Sequence, residues 1–238
     1  MSHKVINNID VLIMCGGKSG SSTLYVTLKK NYKCLKIHSY LDYIEQFNSN
    51  KLYESIDESS NNRILYIIDS YRTPIERKIS SFFENITIHV PNYKSLSIVK
   101  LINLFNEKFL YTLEEYHSIN EVFRKYDIPL FDTFDFNKHY NITYKGTKIF
   151  IKLLYKDIDN WGTILSRIFK KKIIIRNDNI SDTKDYFTMY TEFKKKYKIP
   201  KKYIDNLLKN DREFTIYNTK DEQEKVDNLK QKFDELFA

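Results

Sequence analysis

Glycine and cysteine are both scarce in this sequence, and each scarcity excludes something. Only five glycines occur in 238 residues, so the run CGGKSGSSTL, Cys15 to Leu24, which holds three of them, stands apart from the rest. Two cysteines, Cys15 and Cys34, are too few for a disulfide framework or a cysteine metal set and read as small core residues. No stretch reaches the roughly 20 apolar residues of a membrane-spanning helix, and the opening MSHKVINNID has no long apolar segment. No membrane span is expected, and the chain reads as soluble and cytoplasmic. With four prolines, no clear linker and no repeat, a single domain over residues 1–238 is expected.

What is abundant is hydrophobic surface and positive charge. Hydrophobic residues make up 42% and aromatics 15% of the chain, enough for a core. Lys and Arg outnumber Asp and Glu by 39 to 31, a net charge of +8 that favours anionic ligands. The lysine clusters at Lys170 to Lys172, Lys194 to Lys196 and Lys201 to Lys202 have acidic residues nearby. They read as solvated helix faces, so no stable nucleic-acid partner is expected.

The apolar run Val11 to Met14 reads as a short buried strand, and Leu24, Tyr25 and Leu28 have the spacing of a helix face. Strand, glycine-rich turn and helix make an anion-binding geometry: the helix start offers unpaired N–H groups and the positive end of a dipole, and glycine lets a phosphate approach the backbone. Leu35 and Ile37 alternate as in a second strand with His38 at its end; a polar segment, residues 48–62, precedes a third apolar run, RILYIIDSYR. Alternating strands and helices predict an α/β fold of three layers, a central, mainly parallel sheet flanked by helices. Ligands bind such sheets at the carboxyl ends of strands, so the loop, His38 and Asp69 to Arg72 should converge on one edge. Thr73, Pro74 and Glu76 sign a helix start. A helical pattern covers residues 95–126. A hairpin turning at Lys145 and Gly146 precedes a strand from Lys148 to Tyr155, and helices follow at Asn160–Phe169, Thr183–Tyr197 and Lys220–Phe237, the last opened by a capping box at Thr219 and Glu222.

Gly17, Lys18 and Ser19 imitate the second half of a nucleotide-hydrolysing P-loop, but the required first glycine is Leu12, inside the strand, and Lys18 precedes Gly20. Lysine, small residue, glycine and two hydroxyl residues in that order resemble the 5′-phosphosulfate loop of sulfotransferases that use 3′-phosphoadenosine-5′-phosphosulfate (PAPS). YRTPIERKISSFF resembles that family's 3′-phosphate element, with Arg72, Ser80 eight positions on, and Arg77 between them. KLLYKDIDNW is similar to the turn beside adenine, with Tyr155 and Asp157 matching and Lys156 in place of the usual glutamate. The tail REFTIYNTKDEQEKV also resembles the family's closing pattern, and KIHSYLD looks most like carbohydrate-type and capsular-polysaccharide-associated members.

The resemblance implies a P-loop NTPase-like sulfotransferase architecture, PAPS as donor, no metal, and a glycan or other hydroxyl-bearing acceptor. It implies a loop of Lys18, Ser19, Gly20, Ser21, Ser22 and Thr23 around the 5′-phosphate, with Lys18 stabilising the leaving oxygen. Arg72 and Ser80 fall on the 3′-phosphate and Tyr155 on the purine. His38 is the expected catalytic base, since imidazole titrates near neutral pH and sits at a strand end beside the loop; Asp42, Glu45 and Glu84 are rival bases. Two other readings stay open: an NTP-dependent kinase with Asp69 as its magnesium ligand, and a non-catalytic binder of glycans or nucleotides.

Overall fold

The computed structural model describes residues 6–112, 119–176 and 184–226. The chain runs β1 (Val11–Met14), α1 (Ser21–Leu28), β2 (Cys34–Ile37), α2 (Tyr40–Phe47), α3 (Leu52–Ser59), β3 (Leu65–Tyr71), α4 (Pro74–Glu84), α5 (Ile86–His89), α6 (Ile98–Lys108) and α7 (Asn120–Lys125). It continues through β4 (Tyr140–Lys145), β5 (Lys148–Leu154), α8 (Trp161–Phe169), α9 (Phe187–Lys196), α10 (Lys201–Asn210) and α11 (Arg212–Tyr217). It forms two compact units, Met1–Arg72 with Glu115–Asn179, and Thr73–Glu114 with Ile180–Ala238.

The first unit is an α/β layer structure around one five-stranded sheet in the order β2-β1-β3-β5-β4. The first four are parallel neighbours, and β4 closes the edge antiparallel to β5. Every residue of β1 is buried, as a parallel strand covered on both faces requires. The two-residue period still sorts the side chains by face. Leu12, Met14, Leu35, Ile37, Ile67 and Phe150 pack with α2, α3 and α7, whereas Val11, Ile13, Ile68, Ile151 and Leu153 pack with α1 and α8.

Because β2 and β3 lie on opposite sides of β1, the strand order reverses there. The crevice beyond the carboxyl ends of β1 and β3 is the topological switch point where open α/β sheets bind ligands.

Helix α3 occupies the segment that reads as merely polar in the sequence. Its buried face consists of Leu52, Ser55, Ile56 and Ser59, so half of it is serine. Ser55 Oγ accepts the backbone N–H of Ile6, and Ser59 Oγ that of Ile9, both at 3.0 Å. The hydroxyls satisfy backbone groups ahead of β1, which lets a polar-looking face be buried.

The second unit is helical and aromatic, with Phe82, Phe83, Phe105 and Phe193 packed mostly edge to face. The expected helical stretch at 95–126 is broken: α6 ends at Lys108, the chain turns through Leu110, and α7 begins at Asn120; residues 113–118 lie outside the described residues. Helices α10 and α11, absent from the sequence reading, bury Tyr203, Ile204, Leu207, Phe214 and Tyr217. The capping box forms at Thr219, whose N–H donates to Glu222 at 2.7 Å while Glu222 N–H donates back at 3.2 Å. At α4 the Thr73 hydroxyl instead donates to the Glu76 carboxylate at 2.8 Å. The outer parts of the expected helices at 183–197 and 220–237 lie outside the described residues. Among the described residues no helix is long and apolar enough to cross a membrane.

At the centre of the sheet Asp69 on β3 stands in register with Lys152 on β5, and both side chains are fully buried. Lys152 Nζ lies 2.6 Å from Asp69 Oδ2, which also accepts the Ile119 N–H at 3.3 Å. Removing one partner of such a pair leaves an uncompensated buried charge. Lys152→Met should therefore lower unfolding free energy by about 3–5 kcal/mol in urea titration, and Asp69→Leu added to it should recover most of that loss. Equal losses in the single and double variants would show that the charge pair is not what is being lost.

Candidate functional site

Four parallel strands end side by side, and the residue or loop that follows each one belongs to a common edge. In spatial order these are His38 after β2, the glycine-rich loop after β1, Arg72 after β3 and Tyr155 after β5.

The loop leaves β1 at Cys15, whose buried thiol lies 3.6 Å from the Ile68 carbonyl. Burial, followed by the Asp69 charge, pushes this thiol far above the usual cysteine range, and burial and Asp10 push Cys34 up to about 12. Neither is a thiolate nucleophile near neutral pH.

Ser19 Oγ donates to the Gly16 carbonyl at 2.5 Å, Ser70 Oγ donates to the Ser19 carbonyl, and Arg72 Nη1 donates to the Lys18 carbonyl at 3.0 Å. These bonds hold two left-handed residues, Lys18 at φ 65° and Gly20 at φ 92°. For lysine that conformation costs about 1 kcal/mol.

Gly20 is the N-cap of α1. It offers no side-chain cap, and the first turn carries no acidic residue. The N–H groups of Ser21, Ser22 and Thr23 have no intrahelical acceptor, so the helix presents donors and a positive dipole end where the loop closes. Ser19, Ser21 and Thr23 are buried; Lys18, Gly20 and Ser22 are half-buried.

Aromatic side chains lock the turn from the β5 side. A Cβ at Gly20 would stand 2.6 Å from Trp161 Cη2 and 3.1 Å from Tyr155 Cδ2, whereas one at Gly17 meets nothing within 4 Å. Trp161, which the sequence reading did not single out, is fully buried and donates from Nε1 to the Leu154 carbonyl at 3.0 Å. Its signal was the small residue it needs opposite it, visible only once β1 and β5 are placed. The Arg72 guanidinium lies over the Tyr155 ring, 4.2 Å from its centroid.

On the other flank His38 Nδ1 lies 2.8 Å from the Cys15 carbonyl. A carbonyl only accepts, so Nδ1 carries a proton, which in the neutral form of an imidazole leaves the lone pair on Nε2, the atom a general base uses. The His38 backbone N–H donates to Asp42 Oδ2 at 2.6 Å, and Ser39 Oγ caps α2 through the Asp42 N–H at 3.0 Å. Asp42 thus positions the histidine's backbone. Glu45 is exposed on α2, and Glu84 is exposed on α4 in the second unit.

Ser80 is half-buried on α4 and belongs to the second unit, as does Arg77. Asp69, the metal ligand of the kinase reading, is enclosed in its pair with Lys152. A further histidine joins the same edge: His139, just before antiparallel β4, lies 3.2 Å from Asp157 Oδ2 in the turn after β5. The hairpin register brings the start of β4 beside the end of β5. Among the described residues no group of three or more His, Cys, Asp or Glu side chains could hold a metal ion.

Comparison of the chain with protein-family models, curated proteins and solved structures returned no match.

The two glycines should respond differently to a methyl group. Gly20→Ala must hold a left-handed alanine and displace Trp161, lowering unfolding free energy by about 2–3 kcal/mol, whereas Gly17→Ala should change it by less than about 0.5 kcal/mol. Urea denaturation of the two variants checks this; comparable losses would mean that Trp161 does not constrain the turn.

Proposed function

We propose that this protein is a sulfotransferase that moves a sulfuryl group from PAPS to a hydroxyl of a glycan or other small acceptor, on a P-loop NTPase-like architecture. The observation that carries the proposal is the row at the switch point: an uncapped helix start behind a left-handed Gly20 turn, with a guanidinium on one side and a histidine of defined tautomer on the other. Such a row suits a doubly anionic ligand beside a proton acceptor.

In this reading the backbone N–H groups of Gly20, Ser21 and Ser22 bind the 5′-phosphate, helped by the hydroxyls of Ser22 and Thr23. The Lys18 ammonium neutralises charge that develops on the departing phosphate oxygen. Arg72 supplies a permanently charged, forked contact to the 3′-phosphate. The donor supplies an activated sulfuryl group: the acceptor oxygen forms a bond to sulfur as the bond from sulfur to the 5′-phosphate oxygen breaks. His38 Nε2 takes the acceptor's proton, while the Cys15 carbonyl holds Nδ1–H and so stabilises the imidazolium that results. The kinase reading needs Asp69 to face a metal, and its burial against Lys152 speaks against that role.

Calorimetric titration with adenosine 3′,5′-bisphosphate in the absence of magnesium tests the proposal. Binding is expected, and Arg72→Ala should weaken it about ten- to hundredfold, equivalent to about 1.5–3 kcal/mol. His38→Ala should leave that affinity within about twofold while abolishing sulfuryl transfer. Preference for ATP with magnesium over the bisphosphate would sink the sulfotransferase reading.

A further inference from the structure

The resemblance assigns Tyr155 to the purine, yet its ring is engaged otherwise. The Arg72 guanidinium lies over its face, 4.2 Å from the centroid. Its Cδ2 edge stands where any side chain on Gly20 would begin, at 3.1 Å. Trp161 fills the rest of that space, and the two rings meet nearly perpendicular, 6.4 Å between centroids at 84°. The indole N–H is tied to the carbonyl of Leu154, the residue before Tyr155. In register, Tyr71 opposes Leu154, so Arg72 and Tyr155 leave adjacent strands at the same level.

A guanidinium lying over a ring keeps its N–H donors directed from its edges, in its own plane. One edge here points at the Lys18 carbonyl, 3.0 Å away. The ring, the guanidinium, the loop carbonyl and the glycine turn therefore form a closed circuit of contacts.

We infer that Tyr155 is a positioning residue for Arg72 rather than a platform for the nucleobase, and that with Trp161 it couples the orientation of the guanidinium to the Gly20 turn. This rests on the proposed function for the identity of the ligand, a nucleotide with phosphates at both ends of its ribose. Arg72 meets the 3′-phosphate in one orientation because the aromatic pair has already set it, and the loss of freedom is taken in folding rather than in binding.

Two measurements test this. In the first, affinities for adenosine 3′,5′-bisphosphate and for AMP, which lacks the 3′-phosphate, are compared in Arg72→Ala, Tyr155→Phe, Tyr155→Leu and the Arg72→Ala/Tyr155→Leu double variant. Tyr155→Phe should stay within about twofold of the parent for both ligands, since the ring remains. Tyr155→Leu should weaken the bisphosphate about tenfold and AMP less than about twofold, and the double variant should bind no more weakly than Arg72→Ala alone. Equal weakening of both ligands, or full additivity in the double variant, would put the ring on the base and overturn the inference.

The second measurement needs no ligand. Trp161 is the sole tryptophan and is fully buried. Tyr155→Leu should raise its quenching by acrylamide in the folded protein, while Tyr155→Phe should not. Unchanged quenching in Tyr155→Leu overturns the inference even if nucleotides bind. Failure of the parent protein to bind either nucleotide, with quenching as expected, removes the sulfotransferase proposal and leaves the Tyr155–Trp161 wedge standing.

Discussion

The candidate site depends on β1 being hydrogen-bonded in parallel to β2 on one side and to β3 on the other. Parallel pairing puts the carboxyl ends of β2, β1, β3 and β5 at one edge, and the reversal of strand order at β1 makes that edge the position where open α/β sheets bind ligands. The alignment costs the chain a fully buried strand, which must be apolar on both faces; Val11 to Met14 meets that demand. It also requires each crossover to be covered by a helix. Serines on the buried face of α3 satisfy backbone groups ahead of β1 and let an otherwise polar segment do this for one face.

The loop after β1 shows how a strained conformation is kept. Lys18 and Gly20 are both left-handed, and the Lys18 conformation alone costs about 1 kcal/mol. Ser19, Ser70 and Arg72 offset that cost with hydrogen bonds to successive parts of the loop, and Trp161 with Tyr155 leaves room only for hydrogen at Gly20. The outcome is a helix start whose N–H groups are presented rather than capped. The same crowding sets the Tyr155 ring against both the Gly20 turn and the Arg72 guanidinium, the contacts from which we infer its supporting role.

Electrostatics near the sheet centre separates residues that look alike in sequence. Asp69 and Arg72 both fall at the end of the third apolar run, and either could serve an anion or a metal. The register of β3 with β5 directs Asp69 onto Lys152 inside the core, while Arg72, just past the end of β3, reaches the loop. Three residues along a strand thus divide a structural ion pair from a candidate ligand contact.

Much of the edge was legible from order and composition alone. An apolar run followed by a glycine cluster, a histidine closing an alternating strand, and an arginine after a third run each signal a strand end, because a buried parallel strand must be apolar and its exit must turn. Helix α3 was not legible, since its buried serines erase the amphipathic period, and neither was the break between α6 and α7, where apolar residues continue at helical spacing past the actual end. Linear order determined which residues leave the strands and in what chemical company. Only the tertiary structure decided their neighbours: that His38 is held through Nδ1 by a loop carbonyl, that Trp161 faces Gly20, and that Arg72 lies on Tyr155. Those contacts join residues tens of positions apart, and they arise from strand register and sheet order, which local periodicity does not encode.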